Sequence, residues 1–427
     1  MSSPTTSASR TGNARTASVT RLARPRQSTR PALLALLDRP LASYYIVIGT
    51  AALLLALGLI MVLSASSVTS YTSSGSSFTI AERQGVWMTI GLPALWIGAR
   101  LPVRAYRMLG YPLLLLSFAL LVAVLVPGIG QNVSGATRWI ALPGGLQIQP
   151  SEPAKLALVL WGADLLARKE KRLDETRHLL VPLVPIALAM GLLVMAQPDM
   201  GTTIVLIVVM LALLFTAGAQ LGVFAKIGVA LGVALGGLAV TEPYRLQRIT
   251  GFRNPCATGH AQNIGYQACQ GLYALSSGGW FGLGLGASRE KFGYLPNQYT
   301  DYIFAIIGEE LGLLGTLLVL GLFALLGYAG IRIAQRCPDR FSQLAAAGVT
   351  AWLLGQALVN MGAVVGLLPI TGIPLPLVSF GGSALVPTMF GIGMLISFAR
   401  REPATARALA ARKAARGRWL PRLAWTR

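Results

Sequence analysis

The sequence predicts an all-α polytopic membrane protein of about ten transmembrane helices, with both termini cytoplasmic and a large extracytoplasmic loop between the seventh and eighth. Three observations predict it. Only 12% of the 427 residues are charged and 54% are hydrophobic, whereas a soluble globular chain carries about 25% charged residues. Apolar runs of roughly 20 residues, enough to cross the hydrocarbon core as a helix, recur along the chain. Lys and Arg gather in alternate connections between those runs, as the positive-inside rule requires.

The apolar segments lie near 44–66, 84–99, 110–127, 152–167, 179–196, 201–217, 222–240, 301–331, 344–366 and 383–399. Residues 1–43 are rich in Ser, Thr and Arg and read as a disordered basic tail. Residues 44–400 form the membrane domain and 401–427 a second basic tail. The first apolar run is too long for the apolar core of about 7–15 residues in a cleaved signal peptide. With the N-terminus inside, cytoplasmic segments hold 28 of the 36 Lys and Arg: seven in 1–43, three in 100–108, five in 168–178, Lys226, three in 332–340 and nine in 400–427. The opposite orientation would put most of them outside. The net charge of +21 therefore reflects topology, not a nucleic-acid partner: no zinc-ligand cluster, aromatic–basic platform or basic helix outside the tails accompanies it.

This orientation places 128–151, 241–300 and 367–382 outside. The stretch 241–300 is far longer than an ordinary connection, which marks it as functional. The run Pro369 to Pro376 is apolar but cannot be a regular helix. It is either a re-entrant loop buried in protein or an interfacial turn. Gly228, Gly232 and Gly236 recur at four-residue spacing and read as a helix-packing face.

Several motifs fail on inspection. Gly282, Gly284 and Gly286 form GxGxG without the GxGxxG spacing or a βαβ setting. Ser151 and Lys155 are four apart, so no SxxK motif is present. Two histidines, His178 and His260, do not make a metal site.

Ionisable groups at a membrane are costly, so each is a functional candidate. Glu152 and Lys155 open the fourth segment at i, i+3 spacing, on one helical face. Arg138 beside Trp139 offers an outward guanidinium suited to phosphate. Asp199 in Gln197-Pro-Asp-Met-Gly201 reads as turn and cap chemistry. Asp301 follows Thr300, a competent N-cap, so a capping charge is the plain reading of it. Glu309 and Glu310 lie two turns deeper and need partners or protons. Cys256 and Cys269 share the exterior loop, where disulfides persist, so they are either bridged, the expectation here, or two free thiols. Cys337, inside, is expected reduced.

Read together, these loops resemble those of the FtsW/RodA family of peptidoglycan glycosyltransferases. The matching stretches are GATRWI (135–140), QPSEPAKL (149–156), QPDMGTT (197–203), GYQACQGLYALSSGGWFGLGLG (265–286), YLPNQYTDYIFAIIGEELGLLG (294–315) and LPITGIPLPLVSFGGS (368–383). They occur in the family's order across 44–400. The resemblance implies a ten-helix fold in the inner membrane and polymerisation of lipid II into glycan strands with release of polyprenyl pyrophosphate. It implies a class B penicillin-binding protein transpeptidase as partner, alongside other division-machinery membrane proteins. The family's catalytic Asp falls on Asp301, its loop Arg and helix-four Lys on Arg138 and Lys155, and its helix-four Glu on Glu152, the last three as substrate-binding residues. GEELG at 308–312 and LSASS at 63–67 are closer to the division members at the septum than to RodA-type elongation polymerases. Tyr299 and Asn297 replace the His before TD and the acidic residue after the loop Pro that the family often carries, so Asp301 must act without them. A glycosidase needs a second carboxyl to protonate its leaving alcohol. A pyrophosphate leaving group mainly needs positive charge, so one base and two cations suffice. No cofactor is evident, and no ligand cluster marks a divalent cation that could share the pyrophosphate charge. A lipid II flippase and a non-catalytic division scaffold are the competing readings. A transporter should show internal repeats, broken helices or charges along a path.

Overall fold

The structure is a computed structural model that describes residues 39–133, 136–143, 147–172, 175–241, 254–257 and 265–419. The expected N-terminal tail up to residue 38, residues 242–253 and 258–264 of the large loop, and the end of the C-terminal tail from 420 lie outside the described residues. The helices are α1 (Ala42–Ser74), α2 (Thr79–Arg100), α3 (Val103–Ala123), α4 (Ser151–Arg168), α5 (Thr176–Leu180), α6 (Leu183–Met195), α7 (Met200–Ala217), α8 (Leu221–Thr241), α9 (Tyr266–Ser277), α10 (Ile303–Arg336), α11 (Arg340–Val364), α12 (Leu385–Ala399) and α13 (Pro403–Trp419). Between α3 and α4, strands β1 (Gly130–Val133), β2 (Ala136–Ala141) and β3 (Gln147–Ile148) form one antiparallel sheet in that order.

Seven stretches of the described residues are long and apolar enough to cross a membrane: α1, α3, α5 with α6, α7, α10, α11, and α12 with the turn before it. The other three expected segments are helical too, but polar residues or length set them apart. Helix α2 carries Glu82, Arg83 and Arg100. Helix α4 carries Glu152, Lys155, Asp164 and Arg168. The described apolar part of α8 is only Leu221–Ala230. Helix α4 tolerates its charges because protein, not lipid, surrounds it: Ala154 to Leu166 are all buried, and α3, α7 and α11 pack against it. Its buried Asp164 is paired with Arg107 at 2.6 Å and Arg168 at 2.7 Å, as a buried charge must be. The outer helices show the reverse pattern, exposing Leu53, Ile60, Trp96 and Leu115, the dress of a lipid-facing surface.

The tertiary contacts respect the sidedness read from charge. At one end Arg401 donates to the Leu101 carbonyl at 3.1 Å and Arg340 to that of Thr216 at 3.0 Å. At the other, Arg138 donates to the Pro198 carbonyl at 2.6 Å and the Phe380 amide to that of Tyr299 at 3.0 Å. Each pair joins segments assigned to the same side.

Helix α1 runs eight residues past its expected end. The Ser/Thr stretch after 66 continues the helix because its hydroxyls return to carbonyls one turn back, as Thr72 does to Val68 and Ser74 to Ser70. The expected C-terminal tail begins as helix α13, whose Thr405 hydroxyl bonds the Pro40 carbonyl. Of the expected glycine face of α8, Gly228 and Gly232 do not pack against another described segment: a side chain on either would meet nothing within 4 Å.

Helix α10 is broken at Gly312, where φ is 67° and ψ −163°. Glycine alone adopts that conformation readily. The freed groups are taken up by the loop after α9: Leu283 N bonds Glu309 O at 2.9 Å, Gly284 N bonds Glu310 O at 3.0 Å, and Leu313 N bonds Gly279 O at 2.9 Å. The carboxylates of Glu309 and Glu310 face the same loop. Glu309 accepts from Ser288 Oγ at 2.5 Å and Arg289 N at 2.8 Å. Glu310 accepts from Ser64 Oγ at 2.7 Å, with Lys291 Nζ 3.7 Å away. The partners these acids needed come from that loop and, for Glu310, from Ser64 of α1.

Candidate active site

Asp301 sits in a turn closed by Thr300 N and Tyr302 N, which both donate to Asn297 O. The helix begins only at Ile303, with Tyr302 at the N-cap and no side-chain cap bond. Thr300, the expected cap, spends its hydroxyl on Asn297 O at 3.2 Å. Asp301 is thus ahead of the first turn, which removes the plain reading of it as a capping charge. It is partly accessible, and the protein packed around its carboxyl raises the pKa from 3.8 to about 6. Arg138 opposes that rise and Asp199 adds to it.

Arg138 projects from β2. Its Nη2 donates to Pro198 O at 2.6 Å and its Nε to Gln197 O at 3.3 Å. The turn carrying those carbonyls is held by Asp199, the N-cap of α7, which accepts from Thr202 N at 3.0 Å and from Gln149 Nε2 at 3.0 Å. Asp199 therefore does the cap chemistry expected of it, and in doing so aims Arg138. Gly372 lies between the acid and the guanidinium. A methyl group placed on it would stand 3.7 Å from Asp301 Oδ2 and 3.8 Å from Arg138 Nη1. Its φ of 70° suits glycine. A base and a cation thus lie beside the same glycine, where a side chain would stand in contact with both.

Gly372 belongs to the Pro-rich run, in which Thr371, Ile373, Leu375 and Pro376 are buried against protein and Pro369, Ile370 and Pro374 are half-buried.

Glu152 and Lys155 come together as their spacing implied, at 2.8 Å. Both are fully buried, and Lys155 Nζ also bonds Gln356 Oε1 at 2.7 Å and lies over the Trp352 ring. The amine is thus held by Glu152 and by Gln356, whose own Nε2 donates to the Pro374 carbonyl of the Pro-rich loop. Cys256 and Cys269 are joined by a disulfide, which ties residues 254–257 to α9. Cys337 is free and buried.

Sequence reasoning missed the sheet that carries Arg138, for Ala136–Ala141 reads ATRWIA and lacks the apolar–polar alternation that marks a half-buried strand. It also missed Gln356 and Asn360, whose signal is two amides one turn apart in an otherwise apolar segment. Among the described residues no group of three or more His, Cys, Asp or Glu is placed to hold a metal ion.

A family model for cell cycle proteins, FtsW/RodA/SpoVE, matches residues 44–403. The chain belongs to this family. It is 45% identical over 375 residues to the probable peptidoglycan glycosyltransferase FtsW of Mycobacterium tuberculosis, covering 88% of this chain and 71% of that one. It is 40% identical over 348 residues to stage V sporulation protein E of Bacillus subtilis, covering 82% and 94%. Among solved structures of the FtsW/RodA/SpoVE type, it superposes at a TM-score of 0.68 and 27% identity on a chain from work on coordination of polymerization and crosslinking by a peptidoglycan synthase complex, covering 84% and 97%. Rod shape determining protein RodA of Thermus thermophilus follows at a TM-score of 0.60 and 28% identity, with the same coverage.

Proposed function

We propose that this chain is a multi-pass membrane peptidoglycan glycosyltransferase that polymerises lipid II during cell division, in the inner membrane at the septum. The observation that carries this reading is the Asp301 carboxylate, desolvated yet reachable, lying with Arg138 beside Gly372. A general base works best with a pKa near the operating pH, and burial moves Asp301 toward it. Asp301 takes the proton from the C4 hydroxyl of the acceptor sugar as that oxygen attacks the anomeric carbon of the donor. The glycosidic bond forms as the bond to the pyrophosphate oxygen breaks, and Arg138 stabilises the negative charge that develops there. Lys155, paired with Glu152, is the second cation that binds the pyrophosphate of the donor. A class B penicillin-binding protein transpeptidase crosslinks the product strand, and other division-machinery membrane proteins gather at the same complex. The FtsW names of the relatives favour the division role over elongation.

The break at Gly312 is a feature that a lipid II flippase would share. Here the break is filled by the loop 279–284, and its carboxylates are occupied, Glu309 by Ser288 and Arg289 and Glu310 by Ser64 of α1, which favours a structural role over a transport path. The test is glycan-strand synthesis from lipid II by detergent-purified Asp301→Asn protein with the transpeptidase present. Loss of roughly 10²–10⁴-fold in rate is expected from removal of a general base. Near-normal polymer would dismiss Asp301 as the base, and absence of polymer from the unmodified protein would favour transport. Adding a chelator to the same assay reads out any need for a divalent cation.

A further inference from the structure

The Pro-rich loop sets a problem in backbone chemistry. Pro369, Pro374 and Pro376 keep it from bonding to itself as a helix, yet it is buried. Buried carbonyls need donors, most of all at membrane depth. Two side chains on one face of α11 supply them. Gln356 Nε2 donates to Pro374 O at 2.9 Å, and Asn360 Nδ2 donates to Ile373 O at 2.8 Å. The same Asn360 nitrogen donates to the Asp301 carbonyl at 2.7 Å. Asn360 thus holds both the backbone of the acid and the residue next to Gly372. Gln356 is itself fixed, its Oε1 accepting from Lys155 Nζ at 2.7 Å and Trp352 Nε1 at 3.0 Å.

We propose that Asn360, braced by Gln356 and Lys155, is a positioning residue that sets the Asp301 carboxylate at its working distance from Arg138 beside Gly372. The proposal rests on the reading of Asp301 as general base. One amide nitrogen serves two carbonyls that belong to segments about 70 residues apart, the acid's own and that of the residue after Gly372. The charged groups facing Asp301 are Arg138 from β2 and Asp199 from the turn before α7, and the distance to each depends on where Asn360 holds the Asp301 backbone. The same arrangement gives the buried Lys155 a role as the charged donor that orients the Gln356 amide, so that its nitrogen points at the loop.

The test measures initial rates of glycan synthesis from lipid II against substrate concentration and pH, on the full chain with its transpeptidase. The variants are Asn360→Ala, Asn360→Ser, Gln356→Ala and Asp301→Asn. Asn360→Ala is expected to lower kcat by about 10–100-fold, the scale of a small misplacement of a reacting group. KM should stay within about twofold, because the substrate-facing groups are retained. The acidic limb of the pH profile should move, since the carboxylate's surroundings change. Asn360→Ser keeps one donor and should recover part of kcat, while Gln356→Ala should lose less than Asn360→Ala. If folded Asn360→Ala and Asn360→Ser keep the kcat and the acidic limb of the unmodified protein while Asp301→Asn is inactive, the proposal is overturned and the base assignment stands. If Asn360→Ala raises KM alone, or does not fold while Asn360→Ser behaves as the unmodified protein, Asn360 is structural and the proposal is likewise overturned. An active Asp301→Asn removes the underlying reading instead.

Discussion

Replacing Arg138 by Gln separates two jobs that its guanidinium holds at once. The positive charge lowers the pKa of Asp301 against the larger effect of burial, which together leave it at about 6. Without Arg138 the carboxyl becomes harder to ionise, so the acidic limb of the rate profile moves to higher pH. An Arg beside an Asp shifts the carboxyl by about 1–3 units, and about one unit is a conservative choice here because no ion pair joins the two in the structure. The working base is the ionised form. At pH 7 its fraction would fall from about nine-tenths to about one-half, and at pH 5 from about one-tenth to about one-hundredth. Protonation alone therefore accounts for less than about twofold at pH 7 and about ninefold at pH 5. Any loss at pH 8, where both proteins are ionised, measures stabilisation of the leaving pyrophosphate, and removal of one such donor costs about 10²–10³-fold. The assay is the initial rate of polymerisation of lipid II between pH 5 and 8.5, with the transpeptidase in excess. An acidic limb in Arg138→Gln that stays at its original position, or moves down, refutes the geometry in which Arg138 faces Asp301.

Three further outcomes follow from the same structure. Asp301→Asn should melt at a higher temperature than the unmodified protein at pH 7.5: a carboxyl whose folded pKa is raised destabilises the fold as pH climbs from about 4 to about 6, so the difference should vanish below pH 4. Glu309→Ala strands Ser288 Oγ and Arg289 N, at about 1–3 kcal/mol for a lost buried partner, and thermal melting in detergent that shows no loss would mean the loop finds other acceptors. Cysteines introduced at exposed Phe292 or Tyr294 should react with impermeant reagent from outside intact cells, and native Cys256 and Cys269 should alkylate only after reduction; labelling from the cytoplasmic side would invert the topology.

The sequence by itself determined the class, the orientation and the family, because each rests on a quantity summed along the chain. Hydrophobic runs and the Lys/Arg asymmetry survive errors of several residues, and the loop motifs needed only their order. Asp301, Arg138 and the Glu152–Lys155 contact were legible for the same reason: their residue types and local spacings point to them. What only the tertiary structure decided depends on which distant segments meet. Thr300 was a fair cap by local rules, yet its hydroxyl turned to Asn297 and left Asp301 ahead of the helix. That Lys155 also meets Gln356, 201 residues away in the chain, was decided by the placing of α11. The break at Gly312 is invisible locally, since a glycine within an apolar helix is ordinary until the loop from 279–284 supplies the hydrogen bonds that the break leaves open. The site at Gly372 is assembled from β2, the turn before α10 and a proline-rich run more than 60 residues further on, and a missing side chain has no signal in sequence until its neighbours are known.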